Sequence, residues 1–275
     1  MPLDKCVFYT LFLRMRFLLQ CSFNGLDYQG WQKQPGQPTV QETLEKGIAT
    51  LLRNPSIQLV GCGRTDRGVH ASKYFAHFDH DLPLASSFCY HLNAILPESI
   101  AVQNAFAVQD AFHARYDAYC RTYEYDLHGF KSPFINKRSF QFKHWDLLVI
   151  SRLQQAADVL KDYDQFFPFC LSDSGLQSYK VVLHELKWES LEPKTLKFTI
   201  SANRFLRGMV RLVTGMCINV SIGKINEQQV RHALTHQVLL PISLSLPPHG
   251  LSLVDVKYTA FNTSTKSEDT GDIQT

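Results

Sequence analysis

The sequence predicts an α+β layer fold, on three observations. Short apolar runs of strand length are interspersed with segments of helical period along the whole chain. One of those helices is marked by its start: Thr39 is followed three residues later by Glu42, the spacing of a capping box. A strict β-α-β alternation with dinucleotide-binding glycines is missing, which disfavours a Rossmann arrangement.

The elements follow in order. Residues 16–23 read as a buried strand, and a loop containing Gly, Asn and Asp follows to about Pro38. Val40, Leu44, Ile48 and Leu51 recur at helical intervals, so 40–52 is an amphipathic helix. Residues 57–62 and 73–80 read as strands, 85–95 as a helix stopped by Pro97, and 100–108 as β again. The second half repeats this grammar. It has a strand over 120–128 and a helix over 147–161 with Leu148, Leu153, Ala156, Ala157 and Leu160 inward. A hairpin over 180–189 and 195–202, an apolar helix over 205–221, a shorter helix over 226–236 and a closing strand over 252–259 follow. The domain reading is an upstream extension over 1–14, an N-terminal α+β half over 15–112, a C-terminal half over 113–261 and a disordered Ser/Thr/Asp-rich tail over 262–275.

At 275 residues, 45% of them hydrophobic, the chain holds one large domain or two modest ones. A net charge of +3 is mildly basic, so contact with nucleic acid must come from local clusters of Arg and Lys. The seven cysteines, at 6, 21, 62, 89, 120, 170 and 217, form no CxxC pair, and their odd number and wide spacing argue against a disulfide framework. A reducing, cytoplasmic compartment is expected. Residues 6–13 (CVFYTLFL) are apolar but too short to span a bilayer and lack a small-residue cleavage site, so no membrane association is expected. Met15 is read as the biological start; peptides from residues 1–14 in the cellular protein would overturn that.

The most chemical stretch is Gly63-Arg64-Thr65-Asp66-Arg67-Gly68-Val69-His70-Ala71. It follows an apolar β-like run, so Asp66 is expected on a loop held by a rigid scaffold, where catalytic groups concentrate. Flanking cations favour an ionised carboxylate, and a carboxylate is a usable nucleophile toward electrophilic carbon. Arginines can also grip phosphates in two-pronged fashion. On composition alone, a solvated surface loop with an Arg–Asp pair explains the same residues.

The wording of the stretch closely resembles the active-site signature of the tRNA pseudouridine synthase A family, G-R-T-D-x-G-V-H-A, at every fixed position. Further blocks follow in that family's order: Gly25 to Gln32 with Tyr28-Gln29-Gly30-Trp31-Gln32, then Thr39-Val40-Gln41, Phe112-His113-Ala114-Arg115, Arg121-Thr122-Tyr123-Glu124-Tyr125, Ala202 to Arg211 with Phe205-Leu206-Arg207-Gly208-Met209-Val210-Arg211, and His249-Gly250-Leu251. The resemblance begins at Met15 and extends to about Tyr258, nearly the whole chain.

The resemblance implies two ferredoxin-like halves whose mainly antiparallel sheets join, helices on one face and an active cleft between the halves. It implies isomerisation of uridine to pseudouridine in the tRNA anticodon stem-loop, at positions 38–40, by a homodimer with no cofactor or metal. Asp66 would be the nucleophile, with attack on ribose or base left open. Tyr123 would lie against the target uracil, Arg207 would pair with the aspartate, and Leu251 would wall the uracil pocket. Arg64, Arg67, His70, Arg115 and Arg121 are candidates for a phosphate-binding rim, His70 without chemistry of its own. Tyr125 and Trp31 are read as structural. Departures from the family pattern fall at Gly208, Ser252, Ser221 and residues 167–173.

Two other functions compete. A catalytically weak RNA-binding protein or tRNA-folding factor on the same scaffold would retain its function with Asp66→Asn. A carboxylate-based nucleoside hydrolase would need a positioned water and typically a second carboxylate or a metal, and the motif offers one aspartate.

Overall fold

In a computed structural model, residues 14–171 and 177–259 are described. The upstream extension short of Arg14, the tail from residue 262 and the departure at residues 172–173 lie outside them. No helix among the described residues is long and apolar enough to cross a membrane.

The N-terminal half runs β1 (Met15–Phe23), α1 (Val40–Leu52), β2 (Val60–Gly61), β3 (His70–His80), α2 (Phe88–Ile95) and β4 (Ile100–Val108). The C-terminal half runs β5 (Ala118–His128), β6 (Phe140–Gln141), α3 (Val149–Asp158), β7 (Leu183–Glu192), β8 (Thr195–Ala202), α4 (Met209–Ser221), α5 (Glu227–His236) and β9 (Leu251–Tyr258). One sheet contains both halves, in the order β4-β1-β3-β9-β5-β8-β7, with β2 on β3 and β6 on β5. Within the first half the order is β4-β1-β3-β2, and within the second β9-β5-β8-β7. Each therefore places its fourth strand beside its first, and its third between first and second, which is the ferredoxin-like arrangement the resemblance implied.

The seam explains where a site can form. β2 and β9 both pair with the same edge of β3. β2 takes its far end, with Val60 opposite His77, and β9 takes its near end in parallel, with His70 opposite Ser252 and Ala71 opposite Leu253. Residues 62–69 leave β2 and return to β3 through the fork between the two pairings. The strand expected over 57–62 is accordingly reduced to two residues in ladder, although Ile57 and Leu59 are buried. β9 contributes Leu253, Val256 and Tyr258 to the core of the first half and Leu251 to that of the second, so it stitches the two cores together.

Local chemistry accounts for the helix ends. The Thr39 hydroxyl accepts from the Glu42 amide, and α1 covers the expected span with Val40, Leu44 and Ile48 buried. Asn226 and Gln229 complete a reciprocal capping box on α5. The helix expected over 147–161 begins at Val149 and ends as a 3-10 turn over Val159–Asp162, which leaves Leu148 exposed instead of inward. The helix expected from residue 205 begins only at Met209. Gly208 stands before it in the left-handed region, at φ +69, and residues 205–208 approach as a loop.

Candidate active site

The loop over 63–69 is held mainly by backbone groups and from two sides. From the first half, the strand-to-helix segment over 24–31 clamps it. The Trp31 amide donates to Thr65 O, the Gly68 amide donates to Tyr28 O, and the Gly25 amide donates to Nδ1 of His70 at 3.2 Å. Gly30 has φ +98, and a Cβ there would stand 2.4 Å from Thr65 O, so only glycine lets this segment approach so closely. Beneath the clamp, Trp31 stacks on Tyr74 at 4.1 Å, and the Tyr74 hydroxyl donates to Gly63 O at 2.6 Å. Trp31 is fully buried, as the structural reading of it expected.

From the second half, residues 246–249, just before β9, each hold one part of the site. Leu246 O accepts from Nε of Arg211 at 2.6 Å. Pro247 O accepts from the hydroxyl of buried Tyr125 at 2.7 Å, in keeping with a structural Tyr125. Pro248 packs over Gly68. His249 O lies 3.2 Å from Nε2 of His70. Because Nδ1 of His70 already accepts from an amide, Nε2 carries the proton and donates to that carbonyl. His70 is 5% exposed, and burial holds its imidazole below the ordinary range. It is therefore a neutral strut between the halves, and its place on the phosphate-binding rim is corrected.

Asp66 sits at the open end of this loop with its side chain about one-third exposed. Its partner is Arg211, whose Nη1 lies 3.5 Å from Oδ2. That pairing was expected of Arg207. Arg207 lies on the loop before Gly208 and is exposed, whereas Arg211 is in the first turn of α4 and mostly buried. A cation in the first turn of a helix opposes the helix dipole. It is retained here against Asp66 and the Leu246 carbonyl.

Tyr123, on β5, is half-buried with its ring edge-on to Phe205 at 5.2 Å. Burial pushes its hydroxyl well above the usual tyrosine range, and the charge of nearby Asp66 adds to the rise. The hydroxyl stays protonated at neutral pH and can donate. Leu251 is buried opposite Tyr125, in the strand pair that also sets Tyr123 opposite Leu253. Arg64, Arg67 and Arg115 are exposed.

Arg121 is not on the rim. Its Nε and Nη2 donate to Cys62 O, Nη2 also to Arg115 O, and Nη1 to Ala118 O and Asn203 O, at 2.6 to 3.2 Å. Those five bonds match the five donors of a guanidinium, so none is left for phosphate. Arg121 instead ties the entry of the Asp66 loop to Asn203, the entry of the segment that carries Phe205 and Arg211. Sequence reasoning missed this role and that of residues 246–249, because every acceptor is a backbone carbonyl and carbonyls have no sequence signature. Arg211 was within reach of it, one turn past Arg207 in the same block.

A part-exposed carboxylate paired with an arginine and close to a protonated tyrosine lies on the seam of two ferredoxin-like halves, the arrangement that the resemblance to the pseudouridine synthases, a class of RNA isomerases, implied. The comparisons agree. The sequence family described as tRNA pseudouridine synthase matches residues 163–259. The protein named tRNA pseudouridine synthase A of Bacteroides thetaiotaomicron is 35% identical over 88% of this chain and 90% of its own length. Those of the same name from Porphyromonas gingivalis and Bacillus subtilis are 36% and 35% identical over 88% and 89% of this chain, and over 97% and 99% of their own lengths. The chain belongs to the tRNA pseudouridine synthase A family.

Proposed function

We propose that this chain isomerises uridine to pseudouridine in tRNA, in the anticodon stem-loop at positions 38–40, as a cytoplasmic homodimer. The observation that carries the reading is the geometry of Asp66: a part-exposed carboxylate on a loop fixed from both halves, paired with Arg211 and close enough to Tyr123 for its charge to act on that hydroxyl. In the reaction the N1–C1′ bond breaks, the uracil turns, a C5–C1′ bond forms, and the C5 proton leaves as N1 gains one. Nothing is oxidised or reduced, so the residues need only hold the base, stabilise charge and supply a nucleophile.

Asp66 is the nucleophile. Arg211 aims its carboxylate. The protonated Tyr123 hydroxyl donates to the base or relays its proton, and the ring offers a face to an extruded uracil. Leu251 backs the apolar wall, while Arg64, Arg67, Arg115 and Arg207 face the phosphates. The six described cysteines are free thiols, in keeping with a reducing compartment.

The test is pseudouridine formation in unmodified tRNA transcripts, with no metal added, by wild type and Asp66→Ala. Product in the anticodon stem-loop with wild type alone is expected. The loss in Asp66→Ala is at least about a thousand-fold, on the scale of removing a nucleophile, with tRNA affinity retained. No product from folded wild type on any tRNA would replace this reading with the binding factor. Light scattering checks the dimer.

A further inference from the structure

Tyr116 is 74% exposed, yet its ring is held in place. It lies tilted against His113, with centroids 4.2 Å apart and planes at 31°. His113 meets His77 edge-on at 4.9 Å, and His77 is buried in β3. The three rings thus form a column from the core to the surface. Hydrogen bonds fix its turn. Nδ1 of His113 accepts from the amides of Arg115 and Tyr116 at 3.2 and 3.3 Å, and Nδ1 of His77 accepts from the amide of Ala114 at 3.1 Å. The one acid in the turn, Asp117, accepts from the His113 amide at 2.7 Å. Burial pulls His77 down to about 4 and His113 below the ordinary imidazole range, so the column is uncharged at neutral pH.

The Arg115 guanidinium lies over the Tyr116 ring, 5.8 Å from its centroid and so at the outer limit of cation–π range, while the residue as a whole stays 74% exposed. Tyr119, three residues on, is half exposed. The turn is also coupled to the site, since Arg115 O accepts from the same Arg121 that holds Cys62 O.

We propose that Tyr116 is a stacking platform for an unpaired nucleobase of the RNA, outside the pocket for the target uridine, with Arg115 on the adjoining phosphate. The inference rests on the tRNA reading above. A rigid, exposed aromatic beside a cation suits a base, because every base has a π-face and the immobilisation cost is already met by the column. A second copy of this chain would be better served by a broad apolar surface than by one ring beside an arginine.

The test uses the full chain with Tyr116→Ala, Tyr116→Leu and Tyr116→Phe, comparing tRNA affinity by filter binding, steady-state kinetics and oligomeric state. Tyr116→Ala and Tyr116→Leu are expected to raise Kd and KM for tRNA by about 5- to 150-fold, the range for stacking one base on an aromatic ring, with the effect absent from kcat. Tyr116→Phe, which keeps the face, restores wild-type binding. Unchanged Kd in the Leu variant overturns the platform, as does equal weakening in the Phe variant. A shift to monomer that accounts for the weakening overturns it in favour of a protein interface. The filter-binding arm separates this from failure of the parent reading: wild type that binds tRNA without forming pseudouridine removes the isomerase, while Tyr116→Leu still decides the platform.

Discussion

Two arginines stand at opposite corners of the Asp66 loop, and they use the same guanidinium in opposite ways. Arg121, at the entry of the loop, has every donor committed to a backbone carbonyl and no carboxylate partner. Arg211, at the open end, has one short bond to Leu246 O and a long one to Asp66. A saturated arginine fixes geometry and has no capacity left for substrate. An unsaturated one keeps donors free for the carboxylate beside it. The difference shows that proximity to a site does not make an arginine a ligand; its uncommitted donors do.

Substitution at the open corner should have the larger effect on turnover. Arg211→Ala is expected to lower kcat by about 10²-fold or more, the scale for losing one preorganised charged donor, while thermal stability falls little. Pseudouridine formation in tRNA under steady state and single turnover reads it. A lysine there should rescue poorly, since one ammonium cannot hold Leu246 O and Asp66 in the same fork. A kcat close to wild type in Arg211→Ala would end its assignment as the orienting cation.

The saturated corner should respond the other way round. Arg121→Ala leaves the carbonyls of Cys62, Ala118, Asn203 and Arg115 without their donor and is expected to destabilise the fold by about 3 kcal/mol, read as a lower urea midpoint at unchanged slope. An effect on phosphate affinity, seen as a shallower salt dependence of tRNA binding, would return Arg121 to the rim.

The smallest effect separates fit from mere backbone freedom. Gly30 and Gly36 both have positive φ, but a Cβ at Gly30 meets Thr65 O, whereas one at Gly36 meets nothing within 4 Å. Gly36→Ala should cost about 1 kcal/mol, and Gly30→Ala about 2 kcal/mol with reduced kcat as well. Equal losses in the two variants would mean that the clamp does not set the height of the loop.

These contrasts also mark what was legible in the sequence. The helix over 40–52, the terminal strands of each half and the position of Asp66 were readable because their causes are local: a hydroxyl three residues from its amide, apolar residues at one period, one motif in consecutive positions. Arg207 was placed where Arg211 belongs because the pattern of the block does not say where the helix begins, and Gly208 moves that start to Met209. Arg121 and His70 looked like rim residues because an arginine and a histidine near the Asp66 motif are of a type that can meet phosphate. What excludes them is burial and partners that come from as far as 179 positions away, supplied only by folding.

The shared edge of β3 has a consequence for the order of events in the cell. The strand that completes the fork around Asp66 is the last of the described strands to be made, and the segment that holds Arg211, Gly68 and His70 immediately precedes it. A nascent chain on the ribosome can form the β1, β3 and β4 ladder early, but its carboxylate has no fixed direction until residue 258 has cleared the exit tunnel. The first half therefore waits with part of one strand edge unpaired, open to mispairing during that interval, and activity begins only when synthesis of the folded body is finished.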